Sequence, residues 1–425
     1  MQFAIASAVT LFAAAALAAP SIADRLIASD GGPDDEFGWS VAVDGDIALV
    51  GAAYATVDGH ESQGAVYVFS RVAGAWTQTH KLVASDGAAN AHFGASVAID
   101  RDTAVIGADN AAVDGTLHRG AAYVFARSGA SWSETQKIAS SDGATFETFG
   151  HAVAIEGDRI LVGNHGADVG AVHAAGAVYE YTRDGAAWAE TEKIIADDAI
   201  DNDLFGYSIA FDGSRLLVGT DNATIDDRPG QGSAYVLEEA GDQWQIVHKL
   251  VASDGEAFDA FGWSVAIEGD VALVGARGVT IGDDTFRGAV YAYAFDGSTW
   301  NERQKLIADD GTAGAWFGHS LALRGATALV GAYGANVDDH EEQGAAYVFT
   351  SDGDAWTARR KLVAPHADVN MHFGNAVALV SETDALVGAV DADIDGNGAQ
   401  GAVWAFDLLE SDDVVFADGF DTAAR

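Results

Sequence analysis

Short apolar runs alternate along this chain with acidic, glycine-rich breaks, and the alternation keeps a fixed period. In the first unit Ser40-Val41-Ala42-Val43 alternates small with branched side chains and ends at Asp44-Gly45, a pair suited to a tight hairpin turn. Residues 47–52 form a second apolar run, long enough for a buried strand and too short for a helix. Residues 64–69, with Val66, Tyr67, Val68 and Phe69, have the β-branched and aromatic content of a third strand. A turn over residues 71–75 leads through Trp76 to a fourth, Lys81-Leu82-Val83-Ala84, and Ser85-Asp86-Gly87 turns the chain into the next unit. Each unit is therefore predicted to be four antiparallel strands.

The period is marked by a Phe-Gly pair. It stands at Phe37-Gly38 and returns at Phe93, Phe149, Phe205, Phe261, Phe317 and Phe373, always 56 residues on. Seven such units predict an all-β fold, a seven-bladed β-propeller with four antiparallel strands per blade. The ends argue for a ring over an open stack. Lys81-Leu82 and its five counterparts supply fourth strands, whereas nothing equivalent follows Phe373. Arg25-Leu26-Ile27-Ala28 lies one period before Lys81, so the N-terminal strand is expected to complete the last blade and hide its edge. Seven-fold recurrence gives the Phe-Gly pairs and the glycines at 51, 107, 163, 219, 275, 331 and 388 a packing role, and the six tryptophans at 76, 132, 188, 244, 300 and 356 recur at the same period and are read as structural too: packing is needed in every blade, chemistry once.

Composition refines this picture at two points. Residues 3–18 are uncharged and mostly apolar and end in Ala16-Leu17-Ala18, the pattern of a secretory signal peptide, although no Lys or Arg precedes the run. The expected division is a signal peptide over 1–18, the propeller over 19–408 and a C-terminal tail over 409–425, with the protein secreted or held at the cell surface. No later stretch is apolar for long enough to suggest membrane insertion. The chain has no Cys, so a large core must do what disulfides do in small exported domains. A net charge of −42 excludes nucleic acid and anionic lipid as partners and favours divalent cations and basic groups.

The strings Phe-Gly-x-Ser-Val-Ala, Leu-Val-Gly-Ala and Gly-Ala-Val-Tyr-Val-Phe resemble the FG-GAP repeat of integrin α-subunit propellers, and Lys-Leu-x-Ala-Ser-Asp-Gly resembles its bacterial exported subclass. The resemblance covers residues 22–408. It implies a seven-bladed propeller outside the cytoplasm and a role in adhesion or ligand binding. Integrin-type repeats also hold Ca²⁺ in an Asp-x-Asp-x-Asp-Gly loop between the first two strands. Here that turn is only Asp44-Gly45-Asp46 or its equivalents, too short to wrap six or seven oxygens around the ion.

Candidate chemistry falls on the face formed by the 4→1 and 2→3 loops, which carries roughly half of the 64 acidic residues. In the last 2→3 loop Asp391, Asp393, Asp395 and Asn397 form an Asp-x-Asp-x-Asp-Gly-Asn string, a candidate Ca²⁺ site lacking the distal Glu of an EF-hand. The residue after each Phe-Gly varies, and Trp39, His151, Tyr207, Trp263, His319 and Asn375 are candidates to line a central ligand pocket. The twelve His show no metal-binding spacing, and His60, His118, His165 and His340 read as plain loop residues. No Gly-x-Ser-x-Gly elbow, P-loop or Cys nucleophile is present. The reading that follows is an exported, non-enzymatic and monomeric propeller that binds a glycan or surface protein, with Ca²⁺ assistance. The alternatives are a hydrolase or lyase at the channel mouth and a purely structural surface component.

Overall fold

A computed structural model describes residues 24–241, 243–338, 340–365 and 369–409. The expected signal peptide and nearly all of the tail lie outside these residues. The described chain contains 28 strands, β1–β28, in seven four-stranded antiparallel sheets. In blade 1 the order is β2 (Phe37–Asp44), β3 (Ile47–Ala52), β4 (Ala65–Val72) and β5 (Ala75–Leu82), from the axis outward. The blade boundaries fall where the 56-residue period puts them. Closure is as expected: β1 (Asp24–Leu26) pairs antiparallel with β28 (Ala402–Asp407), which continues through β27 (Asp384–Ala389) to β26 (Phe373–Ser381). The described part of the closing strand matches the last three residues of the other outer strands, one period earlier.

Each Phe of the repeat is fully buried. Phe37 packs edge-on against Tyr67 and Phe69 of its own blade, in a cluster that also holds Leu386 and Val403 of the preceding one. Its ring is thus the wedge between sheets, and truncation of such a side chain costs about 3–5 kcal/mol. The following glycine makes the wedge possible. Gly38 sits at φ +100° in a bulge that shifts the register between Phe37 and Ser40, a conformation open to glycine. Gly51 serves closeness instead, since a Cβ there would overlap the carbonyl oxygen of Gly94 in the next blade. That carbonyl also accepts a hydrogen bond from Ser40 Oγ at 2.7 Å, and the bond recurs from Ser96, Ser208, Ser264 and Ser320. The small residues near the axis therefore stitch each inner strand to its neighbour.

On the outer side, six blades share a polar lock. Tyr67 Oη donates to Asp30 Oδ1 at 2.9 Å, and Lys81 Nζ donates to Asp30 Oδ2 at 2.7 Å. Burial pushes the Asp30 carboxyl up, but the bonds from Lys81 and Tyr67 and the Lys81 charge together hold it below its ordinary value. The closing blade departs from this pattern, with Trp404 in the Tyr place and Arg25 in the Lys place. Among the described residues no helix is long and apolar enough to cross a membrane.

Candidate functional site

The 2→3 loop of each blade zips onto the 4→1 loop that enters the next. Phe93 N donates to Gln63 O and Phe37 N to Gln400 O, both at 2.9 Å, and the remaining blades repeat the pairing. This lattice fixes three positions per blade around the channel mouth: the residue before Phe, the residue after Phe-Gly, and the residue that follows the Gly-x pair ending the second strand. The residue before Phe is left-handed in every blade, from Trp316 at φ 51° to Thr148 at φ 65°. These positions are where the repeats differ most in chemistry.

Their side chains touch one another around the axis. Trp39 meets Tyr54 at 5.3 Å between ring centroids, and Tyr54 meets His92 at 5.0 Å. Asp109 lies between His92 and His151, each Nδ1 being 3.3 Å from one carboxylate oxygen. His151 then contacts His165 at 4.5 Å and Tyr207 at 4.8 Å, and Tyr207 leans on Trp263 at 4.8 Å. Trp263 reaches His319 at 5.7 Å, His319 stacks on Tyr333 at 4.8 Å, and Tyr333 stacks on His372 at 4.1 Å. Asn375 Nδ2 donates to Trp39 O at 3.0 Å and joins the last blade to the first. All six residues expected to line a pocket, Trp39, His151, Tyr207, Trp263, His319 and Asn375, thus stand in one ring.

The ring contains more than the variable column after Phe-Gly revealed. His165, read as a loop residue, is in it, and His118 stacks on the exposed ring of Phe146 at 5.1 Å. Asp109, Asp221, Arg277 and Tyr333 come from a second variable column, and Glu36, His92, Trp316 and His372 from a third. The signal lay in the same comparison between repeats, extended to two further positions.

The electrostatics are uneven around the ring. Asp221 is 8% exposed, and burial pushes its carboxyl up to about 6 despite the pull of Arg277 and His151. Glu36 is driven up to about 7 by burial and by repulsion from Asp391 and Asp34. Burial raises Asp109 as well, but the hydrogen bonds from His151 and His92 outweigh it and hold that carboxyl well below the usual range. Burial, helped by the His151 charge, brings His165 down to about 3; burial and the Arg277 charge do the same to His319. Both imidazoles are neutral at ordinary pH.

The proposed Ca²⁺ string is placed differently. Asp391 turns inward to hydrogen-bond His372 Nδ1. Asp393 Oδ1 accepts from the Ala399 amide at 3.2 Å, as Asp168 does from Ala174 and Asn336 from Glu342 in other blades. Asp395 occupies a left-handed turn position at φ 53° ahead of Gly396, shared with Asp58, Asp114, Asp226 and Asp338. Asn397 Nδ2 donates to Gln400 Oε1 at 2.9 Å. The string therefore begins with the partner of a mouth residue, His372, and continues with two repeat-wide turn positions, Asp393 and Asp395. Among the described residues no group of three or more His, Asp or Glu is arranged to hold a metal ion.

Outside the ring, the long-loop face exposes aromatic rings. Phe146 is 70% and Phe258 65% exposed, and both are left-handed at φ 68°. Five other blades put Asp34, Asn90, Asn202, Gly314 or Asn370 at that place, residue types that accept this backbone. A separate groove of about 430 Å³ opens at the rim between the outer strands of blades 3 and 4, lined in part by Glu192, Ile195 and Trp244.

Comparison with known proteins agrees with this architecture. No curated protein matches the chain. The FG-GAP repeat matches at residues 22–69, 76–125, 132–181, 188–237, 244–293, 300–349 and 356–406. Each match runs from an outer strand, across the wedge Phe, to the third strand of the following blade, the same offset by which the N-terminal strand closes the ring. Seven units matched in this way, spanning nearly the whole propeller, make the chain a member of the FG-GAP repeat family.

Proposed function

We propose that this protein is an exported, non-enzymatic binding module that holds a glycan or a surface protein on its long-loop face, with the channel mouth as the centre of the site. The observation that carries the reading is the exposure of Phe146 and Phe258 in left-handed backbone, where most blades use Asp, Asn or Gly. A left-handed L-residue costs about 1–2 kcal/mol, and rings left mostly in solvent return little of it as packing, the stack of Phe146 on His118 being the one ring contact either makes among the described residues. Exposed aromatic faces around a concave ring of Trp, Tyr and His side chains suit the apolar face of a sugar or an aromatic-rich protein segment.

Screening the purified protein against a glycan array tests the reading, with the Phe146→Asn/Phe258→Asn variant as control. Binding by the parent that the variant loses supports it; silence across the array and against candidate surface proteins rejects it. Asp109 held between His92 and His151 favours a second reading, since a carboxylate with two imidazoles can move protons. Turnover of a polysaccharide panel that disappears in Asp109→Asn would make the protein a hydrolase or lyase instead.

A further inference from the structure

Arg277 is set into the mouth ring between two indoles. Its guanidinium carbon lies 3.0 Å from the Trp263 ring centroid and 5.1 Å from that of Trp316. Cation–π contact with an indole engages the π face of the ring and leaves the guanidinium N–H donors to be met by hydrogen-bond acceptors. Among the described residues no protein acceptor meets those donors. Many other arginines are paired with carboxylates, among them Arg71 with Asp384, Arg159 with Glu180 and Glu239, Arg183 with Asp158, and Arg215 with Glu238 and Asp270. Arg324, Arg359 and Arg360 also lack a carboxylate partner, but each donates to a protein oxygen, which Arg277 does not.

Two buried atoms beside it also lack partners. Asp221, more than nine-tenths buried and close enough to feel the Arg277 charge, leaves Oδ1 without a hydrogen bond. His319, in ring contact with Trp263, leaves Nδ1 in the same state. Of the buried side-chain atoms without partners, these two stand beside a guanidinium that no protein acceptor meets, an arrangement that suits a polar ligand. That molecule carries a carboxylate for the Arg277 fork and hydroxyls next to it for Asp221 and His319. A neutral imidazole serves a hydroxyl in either direction, as donor or as acceptor.

We propose that Arg277, Asp221 and His319 form a subsite for a uronic acid residue of a glycan, an inference that rests on the glycan-binding reading above. A sugar acid presents ring hydroxyls adjacent to its carboxylate, whereas an Asp or Glu side chain of a protein brings no such donors. The charge of the chain shapes the choice further. A polyuronate is repelled by the acidic loops, while an isolated uronate in an otherwise neutral chain meets Arg277 locally and is screened from the rest within about 8–10 Å at ordinary salt.

Calorimetric titration of the whole protein with D-glucuronate, D-glucose and the peptide Gly-Glu-Gly tests this. Glucuronate is expected to bind at least about ten-fold more tightly than either of the others, because glucose leaves the guanidinium unpaired and the peptide leaves Asp221 and His319 unpaired. Arg277→Gln should weaken glucuronate about 10–100-fold, and Arg277→Lys, which keeps the charge without the fork, should fall between. Melting temperatures of both variants, and their unaltered response to a neutral array glycan, separate loss of the subsite from loss of the fold. Equal binding of glucose and glucuronate, indifference to Arg277→Gln in a folded variant, or preference for the peptide overturns the inference. Neutral glycans bound through Phe146 and Phe258 but not through Arg277 would leave the wider reading standing; no saccharide bound at all would remove this inference and confine the wider reading to a surface protein.

Discussion

Ser40 Oγ donates to the carbonyl oxygen of Gly94 across a blade boundary, at 2.7 Å, and the same carbonyl fills the space that a side chain on Gly51 would need. One backbone oxygen thus sets both the distance and the registration between neighbouring inner strands. The two residues are expected to fail differently. Ser40→Ala removes a neutral hydrogen bond and should lower unfolding free energy by about 1 kcal/mol. Gly51→Ala forces a methyl into a backbone oxygen that cannot step aside, and should lower it by about 3 kcal/mol or prevent folding. Chemical denaturation of both variants checks the ordering; a Gly51→Ala protein as stable as Ser40→Ala would contradict the close approach.

Ring closure rests on β1, three residues paired with β28. Deleting residues 22–30 leaves the last blade with three strands and also takes Asp30 from Lys81 and Tyr67. A fall in melting temperature of well over about 5 °C is expected, from an exposed edge together with a lost lock. Melting within a degree or two of the full chain would mean that the strand is not needed for closure.

Phe146→Asn and Phe258→Asn place a residue at home in left-handed backbone where a Phe now stands. Each should stabilise the protein by about 1 kcal/mol while weakening ligand capture. Opposite movement of the two readouts distinguishes a functional aromatic from a packing one, because removing a packing ring would lower stability. Thermal unfolding and glycan-array signal, taken on the same preparations, supply both.

Glu36 gives the site a pH dependence. Burial and the charges of Asp391 and Asp34 lift its carboxyl to about 7, above an unfolded value of about 4.3. Between those values the folded state holds a proton that the unfolded state has released, so stability declines as pH rises through this interval and stays lowered above it. Glu36→Gln should therefore match the parent near pH 4 and exceed it at pH 8 by about 1 kcal/mol, once solvent screening of a partly exposed group is allowed for. An identical pH profile of unfolding for the two proteins would show that Glu36 titrates as an ordinary surface acid.

Calcium gives a clear contrast at residues 391–397. Asp393 and Asp395 serve backbone turns there, so Ca²⁺ is expected to produce the same calorimetric isotherm in the parent and in Asp393→Ala/Asp395→Asn. A saturating signal present in the parent and absent from the variant would restore the loop as a cation site.

The scaffold was legible in the chain because its causes repeat. Phe37 and its six counterparts, the glycines that permit close approach, and the displaced Lys-Leu element at Arg25-Leu26 each recur or are conspicuously shifted, and the structure places all of them as their spacing implied. The site was legible only in part. Trp39, His151 and Tyr207 follow a visible marker, whereas Asp221 and Arg277 follow Gly-Thr and Gly-Ala at the end of a different strand. Their meeting depends on how two loops of adjacent blades zip together. The string from Asp391 to Asn397 is ambiguous for the reverse reason: alternate carboxylates suit a cation, but they also suit an amide-capping Asp and a left-handed turn Asp placed two residues apart.

The zipped loops of the mouth have an evolutionary consequence. Their hydrogen bonds run between backbone atoms, so the side chains they present are free of the scaffold that presents them. Three columns of residues, repeated around seven blades, can then be exchanged singly without renegotiating the wedge, the lock or the stitch. Relatives of this chain should accordingly share a ring and differ in what it grips, with selection acting on a dial of interchangeable positions while the frame beneath stays constant.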